Sequence, residues 1–127
     1  MRQRKLEPDI RCPLDYGLSL LGGKWKARIL CVLGTRGTMR YSSLRRELGN
    51  VTDAVLSAAL RELAEQGLVD RQAFAEIPPR VEYGLTARGT SSLPVLLAIA
   101  QWAGAVPREN QDPQAPQCSR CDYDGVK

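Results

Sequence analysis

Apolar residues recur along the chain at two periods, and the points where one period gives way to the other predict its elements. Leu14, Leu18 and Leu21 fall on one helical face, the recurrence expected of a helix packed on one side. Pro13 opens that helix where a missing N–H costs nothing, and Gly22-Gly23 ends it. A second helix is predicted from near Lys24, with Trp25, Ile29 and Leu33 on one face and Lys24, Lys26 and Arg28 off it. Gly34-Thr35-Arg36-Gly37 is its expected end. After an extended stretch from Thr38 to Tyr41, Ser42 is the expected cap of a third helix bearing Leu44 and Leu48. Gly49-Asn50-Val51 reads as a tight turn and Thr52 as the cap of a fourth helix. There Leu56, Leu60 and Leu63 form the apolar stripe with Val55 and Ala59 beside it, while Asp53, Ala54, Ser57, Ala58 and Arg61 turn outward. Gly67 stands where a C-terminal glycine would close it.

The period then changes to two. Leu68-Val69 begins a strand running to about Ala75, and Val81, Tyr83 and Leu85 alternate along a second one. Glu76-Ile77-Pro78-Pro79-Arg80 is too rich in proline for a strand interior and reads as the hairpin tip. Thr86 is the expected cap of a long last helix, roughly Ala87 to Val106, carrying Leu93, Leu96, Leu97, Ala100 and Trp102, with Pro94 marking a kink or a first-turn break. Two helices joined by a short glycine-containing turn have the grammar of a helix-turn-helix, and a two-stranded ribbon after them makes it winged. The expected fold is mainly α with a small β-ribbon, a winged helix-turn-helix. Its N- and C-terminal helices carry more apolar surface than one small domain can cover, so dimerisation through them is expected. The expected organisation is a flexible basic arm over residues 1–10, the winged helix-turn-helix with its dimerisation helices over 11–106, and a polar, proline-rich tail over 107–127.

The 127 residues are 43% hydrophobic and 25% charged, ordinary values for one globular domain. No apolar run approaches the roughly 18 residues of a membrane span, and no apolar segment follows the basic start as it would in a signal peptide. Both observations point to the cytoplasm. The net charge of +4 is unevenly placed. Between Lys24 and Arg46 stand Lys24, Lys26, Arg28, Arg36, Arg40, Arg45 and Arg46 with no acid among them, a field suited to a polyanion. A solvated basic face that binds nothing is the alternative on charge alone. The chain has no His, which removes the commonest general base and metal ligand. No enzyme, cofactor or metal is expected.

Six motifs, in order, sharpen this picture: Cys12-Pro13; Leu21-Gly22-Gly23-Lys24-Trp25-Lys26; Tyr41-Ser42-Ser43-Leu44-Arg45-Arg46; Leu60-Arg61-Glu62-Leu63; Gly67-Leu68-Val69; and Pro78-Pro79-Arg80-Val81-Glu82-Tyr83. Together they resemble the HxlR-type transcriptional regulators, distant relatives of the MarR type, over roughly residues 11 to 105. The resemblance implies a homodimeric, cytoplasmic bacterial regulator that binds double-stranded DNA at a short inverted repeat, often beside the gene it controls. Each motif also has a physical reading. Gly23 permits the sharp entry into the next helix, and Trp25 would plug the core. Arg45 and Arg46 can reach phosphates, as can Arg80 at the ribbon tip, and Arg40 and Ser42, at the entrance to the third helix, are further candidates for contact with DNA. Phosphate contacts position a protein and base edges specify its site, so the base-reading candidates are Thr52, Asp53, Ala54, Ser57 and Arg61. Many relatives carry longer amides or Lys near Asp53 and Ala54, and Asp53 fits a helix N-terminal charge better than a contact to cytosine.

The cysteines offer a second chemistry. Cys12 holds the cap position of a helix N-terminus, where backbone N–H groups favour a thiolate; Arg11 assists and Asp15 opposes. In several members of the resembled family the matching Cys-Pro senses oxidants or electrophiles, which makes Cys12 the candidate redox sensor; packing against Trp25 or a partner subunit is the structural alternative. Cys31 reads as an inert core residue. Cys118 and Cys121 form a CxxC pair in the tail, outside the strand-to-helix setting of a thioredoxin site and two ligands short of a zinc site. A second tail in a dimer could supply two more ligands, and the pair could form a local disulfide or resolve an oxidised Cys12; a tail with no such role is the leading reading. The expected function is therefore a DNA-binding transcriptional regulator, a repressor in the simplest case, responding through Cys12 to an oxidant or electrophile effector. The alternatives are a regulator with a small-molecule or protein effector and no redox role, a winged-helix interaction module that has lost DNA binding, and a thiol oxidoreductase acting through Cys118 and Cys121.

Overall fold

A computed structural model describes residues 12–104; the arm 1–10 and the tail 107–127, with Cys118 and Cys121, lie outside the described residues. Cys12 is the extended residue before α1 (Pro13–Leu21), and Pro13 takes the first turn as expected. α2 (Lys26–Arg36) starts two residues after Lys24, with Trp25 as its cap, and runs through Gly34 to end at Gly37. The end falls within the expected Gly34–Gly37 segment, at its last glycine; Gly34 itself stays helical, and its bare Cα is needed inside, because a Cβ there would stand 2.6 Å from Leu93 Cδ1.

β1 (Met39–Arg40) leads without a break into α3 (Tyr41–Leu48), so Arg40 is the residue before the helix and no side chain caps it. Ser42 lies inside the first turn and is not the cap, because β1 is held by sheet pairing up to the helix start. The fourth helix, α4 (Asp53–Glu65), is capped as predicted: Thr52 Oγ1 accepts from the Val55 N–H at 3.2 Å. At its far end Gly67 has φ +78, a value open chiefly to glycine, which lets the Leu68 N–H donate back to the Leu63 carbonyl at 2.9 Å.

β2 (Val69–Phe74) and β3 (Arg80–Leu85) form the predicted hairpin, with Arg71 opposite Tyr83. The sheet has three strands and not two. β1 pairs antiparallel with β3, Met39 opposite Tyr83, giving the order β1-β3-β2. The expected single last helix is two: α5 (Ala87–Ser91), capped by Thr86 Oγ1 accepting from the Gly89 N–H, and α6 (Leu93–Trp102). Pro94, in the first turn of α6, has no N–H to continue the ladder of α5.

The core lies where α2, α3, α4 and the base of the hairpin meet: Ile29, Leu30, Leu44, Leu56 and Leu63 are wholly excluded from solvent, with Leu33, Leu48, Leu60, Val69 and Leu96 around them. Trp25 does not plug this core but is half-buried at its edge. Cys31 is buried, as expected. Two elements are left uncovered. No residue of α1 is buried, and Leu14 is 67% exposed. On α6, Val95, Ile99 and Trp102 are exposed, the last at 80%. Among the described residues, no helix is long and apolar enough to cross a membrane.

Candidate nucleic-acid interface

The helix pair α3 and α4 places the chemistry. Leu44 and Leu48 of α3 and Leu56, Leu60 and Leu63 of α4 point inward, which turns Ser42, Arg45, Arg46, Thr52, Asp53, Ala54, Ser57 and Arg61 to solvent. The predicted outward face is therefore one continuous exposed surface, except that Ala58 is half-buried.

The seven cations between Lys24 and Arg46 do not act as one field. Lys24 Nζ and the Arg28 guanidinium lie 5.0 and 4.7 Å from the Trp25 ring centre, and Arg28 also donates to the Leu48 carbonyl at the end of α3. Lys26 was placed off the apolar face by its chemistry, yet it is buried and pairs with Glu62 Oε1 of α4 at 2.8 Å. Arg36 pairs with Glu47 at 3.1 Å. Arg40, Arg45 and Arg46 remain exposed around α3, and Arg40 and Arg46 have no ion pair among the described residues. Cations at the last turn of α3 also complement the helix dipole.

Asp53 is in the first turn of α4, as a dipole-complementing acid would be, but its carboxylate has specific partners. Oδ1 accepts from the Tyr41 hydroxyl at 2.8 Å and from Arg45 Nε at 2.9 Å. Burial pushes the Tyr41 phenol above its ordinary 10.0, and the Asp53 carboxylate adds to the rise, while a hydrogen bond with the Ser57 side chain and the Arg45 charge pull the other way. Tyr41 was not expected at the site; it carries no charge and lies twelve positions from its partner.

At the wing, Arg80 is the first residue of β3 rather than part of the loop, and its guanidinium is engaged. Nη2 lies 3.0 Å from Glu76 Oε2, Nε 3.5 Å from Glu82 Oε2, and the group stacks 4.0 Å from the centre of the Phe74 ring. Between α4 and the sheet runs a cleft of about 260 Å³, lined by Ser57, Leu60, Arg61, Ala64, Arg71 and Tyr83. Arg71 extends the basic surface from α4 onto the wing. Its strand position two after Val69 was the available signal, and it was missed.

Cys12 is exposed at the start of α1, so packing against Trp25 does not hide its sulfur.

Residues 20–111 match the family model for an HxlR-like helix-turn-helix. YdzF, an uncharacterised HTH-type transcriptional regulator of Bacillus subtilis strain 168, is 44% identical over 95 residues, covering 75% of this chain and 87% of its own. A solved structure assigned to the MarR family, from Porphyromonas gingivalis W83, is similar with a TM-score of 0.68 at 33% identity, over 78% of this chain and 95% of that one. The redox regulator HypR in its oxidized form is similar with a TM-score of 0.68 at 33% identity, over 77% of this chain and 100% of its own.

Proposed function

The chain belongs to the HxlR-like helix-turn-helix family, and from that premise we propose that it is a homodimeric, sequence-specific repressor acting in the cytoplasm. That it is a transcriptional regulator with DNA as partner, and not an enzyme, follows from the family and the winged-helix fold. The observation that carries the finer reading is the exposed face of α4, where Ala54, Ser57 and Arg61 stand beside the exposed arginines of α3. Ser57 and Arg61 have side chains able to discriminate base edges, whereas Arg40 and Arg46 supply charge without sequence information. The uncovered faces of α1 and α6 support a two-fold partner, which would set two recognition helices about 34 Å apart on an inverted repeat.

The test uses a duplex selected by the protein from a random pool and a scrambled duplex of equal length. Arg40→Ala and Arg46→Ala should weaken binding to both alike and flatten the salt dependence by about one unit each. Ser57→Ala and Arg61→Ala should instead lower the preference for the selected duplex. Equal binding of all four variants would place the DNA surface elsewhere.

The regulatory part of the reading rests on Cys12. Its thiol is exposed at the head of α1, a helix with no buried residue of its own, and HypR is described as a redox regulator. Modification of the sulfur would change the charge and bulk at the surface where a second subunit is expected, and a modest difference in affinity between the two states suffices to shift occupancy. A limiting electrophile should label Cys12 first, and Cys12→Ser should abolish oxidant-driven release from DNA. First labelling at Cys118 or Cys121 would move the redox element to the tail. Oxidant-insensitive binding would favour a small-molecule or protein effector.

A further inference from the structure

A negative charge on the surface that meets phosphates is electrostatically adverse, yet Asp53 stands there with its side chain 72% exposed. Its contacts supply a reason. One carboxylate oxygen receives two donors from the neighbouring helix, the Tyr41 hydroxyl at the start of α3 and Arg45 Nε toward its end. Three side chains from two helices, Tyr41, Asp53 and Arg45, thus form one polar clasp across the mouth of the helix pair.

We propose that Asp53 is a positioning residue: it holds the Arg45 guanidinium in advance in the orientation that presents its two Nη groups to a DNA phosphate. An exposed arginine left alone samples many rotamers and must be ordered at the moment of binding. Engaging Nε with Asp53 fixes the plane of the fork and leaves both terminal nitrogens for a bidentate phosphate contact. Tyr41 braces the carboxylate from the other side without adding charge. In this role Asp53 acts through Arg45, with Oδ1 committed to the two donors.

The inference rests on the DNA-binding reading above and makes an unusual prediction of sign. Were Asp53 simply an acid near the duplex, Asp53→Ala would tighten binding by removing repulsion. The clasp requires the opposite: Asp53→Ala should weaken binding to the selected duplex by about threefold to tenfold, the range expected for ordering one long side chain. In an Arg45→Ala background, the same substitution should become neutral or tighten binding, because only the repulsion is left to remove. Tyr41→Phe, which changes no charge, should weaken binding in the same direction, and it carries the test if Asp53→Ala does not fold. Binding is measured by fluorescence anisotropy at fixed salt, with thermal melts confirming that each variant is folded. Tighter binding by Asp53→Ala in the Arg45 protein overturns the inference. So does an equal loss in the Arg45→Ala background, which would mark a helix-stability role. Failure of the unsubstituted protein to bind any duplex would instead sink the DNA-binding reading itself.

Discussion

Removing Glu62 is expected to destabilise the protein more than removing Lys26, although the two form a single ion pair. The Lys26 side chain is 11% exposed and that of Glu62 56%, with nitrogen and oxygen 2.8 Å apart. At that separation the Coulomb attraction is about 1.5 kcal/mol with water-like screening and about 6 kcal/mol at the effective dielectric of a protein surface. Exposure of Glu62 pulls the net value toward the lower figure, as does the entropy of fixing two long side chains, so the pair as such contributes about 1 kcal/mol. What differs is the orphan left behind. Lys26→Met keeps most of the apolar stem and leaves a carboxylate that is already in water, at a cost of about 1 kcal/mol or less. Glu62→Ala strands an ammonium in a nearly dry site, at a cost of about 2–3 kcal/mol, below the 3–5 kcal/mol of a fully buried pair. Urea unfolding followed by circular dichroism, at matched protein concentration so that association does not confound it, measures both. The reasoning fails if Lys26→Met costs as much as Glu62→Ala, because desolvation would then not govern the pair.

Three further outcomes are expected. If the chain forms the proposed dimer, Ile99→Asp, placed on the uncovered face of α6, should leave it monomeric by light scattering without unfolding α2 to α4. Raising pH through and above 10.0 should destabilise the fold through Tyr41: its folded phenol titrates above the ordinary value, so the contribution is complete below 10.0 and is lost as pH rises through the folded value. Tyr41→Phe should remove that component of the alkaline transition, read by tyrosinate absorbance alongside the melting temperature. Gly34→Ala should cost about 1–3 kcal/mol in chemical unfolding, because its Cβ meets Leu93 Cδ1 at 2.6 Å and the leucine must shift to admit it.

The elements legible in the sequence are those whose burial repeats locally. Leu56, Leu60 and Leu63, with Thr52 before them and Gly67 after, define α4 almost to the residue because period, cap and stop agree. β1 was legible only as part of an extended stretch, not as a sheet strand: two residues hold no period, and Met39 is a strand only because Tyr83, far along the chain, pairs with it. Gly34 carries the usual sign of a helix end, but a close approach from Leu93 explains it and is invisible locally. Lys26 shows the limit of chemical type as a guide. It lies four before Leu30 and seven before Leu33, in line with the buried stripe, yet its charge argued for the surface until Glu62 supplied a partner. The site follows the same division. Outward positions on α4 follow from where its leucines face, whereas the joining of Tyr41, Asp53 and Arg45 depends on how α3 crosses α4, which no single-helix pattern encodes.

The wing arginine brings its own counterions to any encounter with DNA. Glu76 and Glu82 lie beside the Arg80 guanidinium, and Phe74 covers one face of it. Most protein cations release condensed cations from the duplex when they bind, and that release makes affinity depend on salt. At Arg80 a phosphate that engages Nη2 or Nε displaces a tethered carboxylate, which stays on the protein and ends close to the backbone it has made way for. The contact is an exchange of one anion for another, with the repulsion of the displaced one deducted. Arg80→Ala should therefore alter the salt dependence by well under one unit, and the hairpin would contribute to where the protein sits on DNA more than to how tightly it holds.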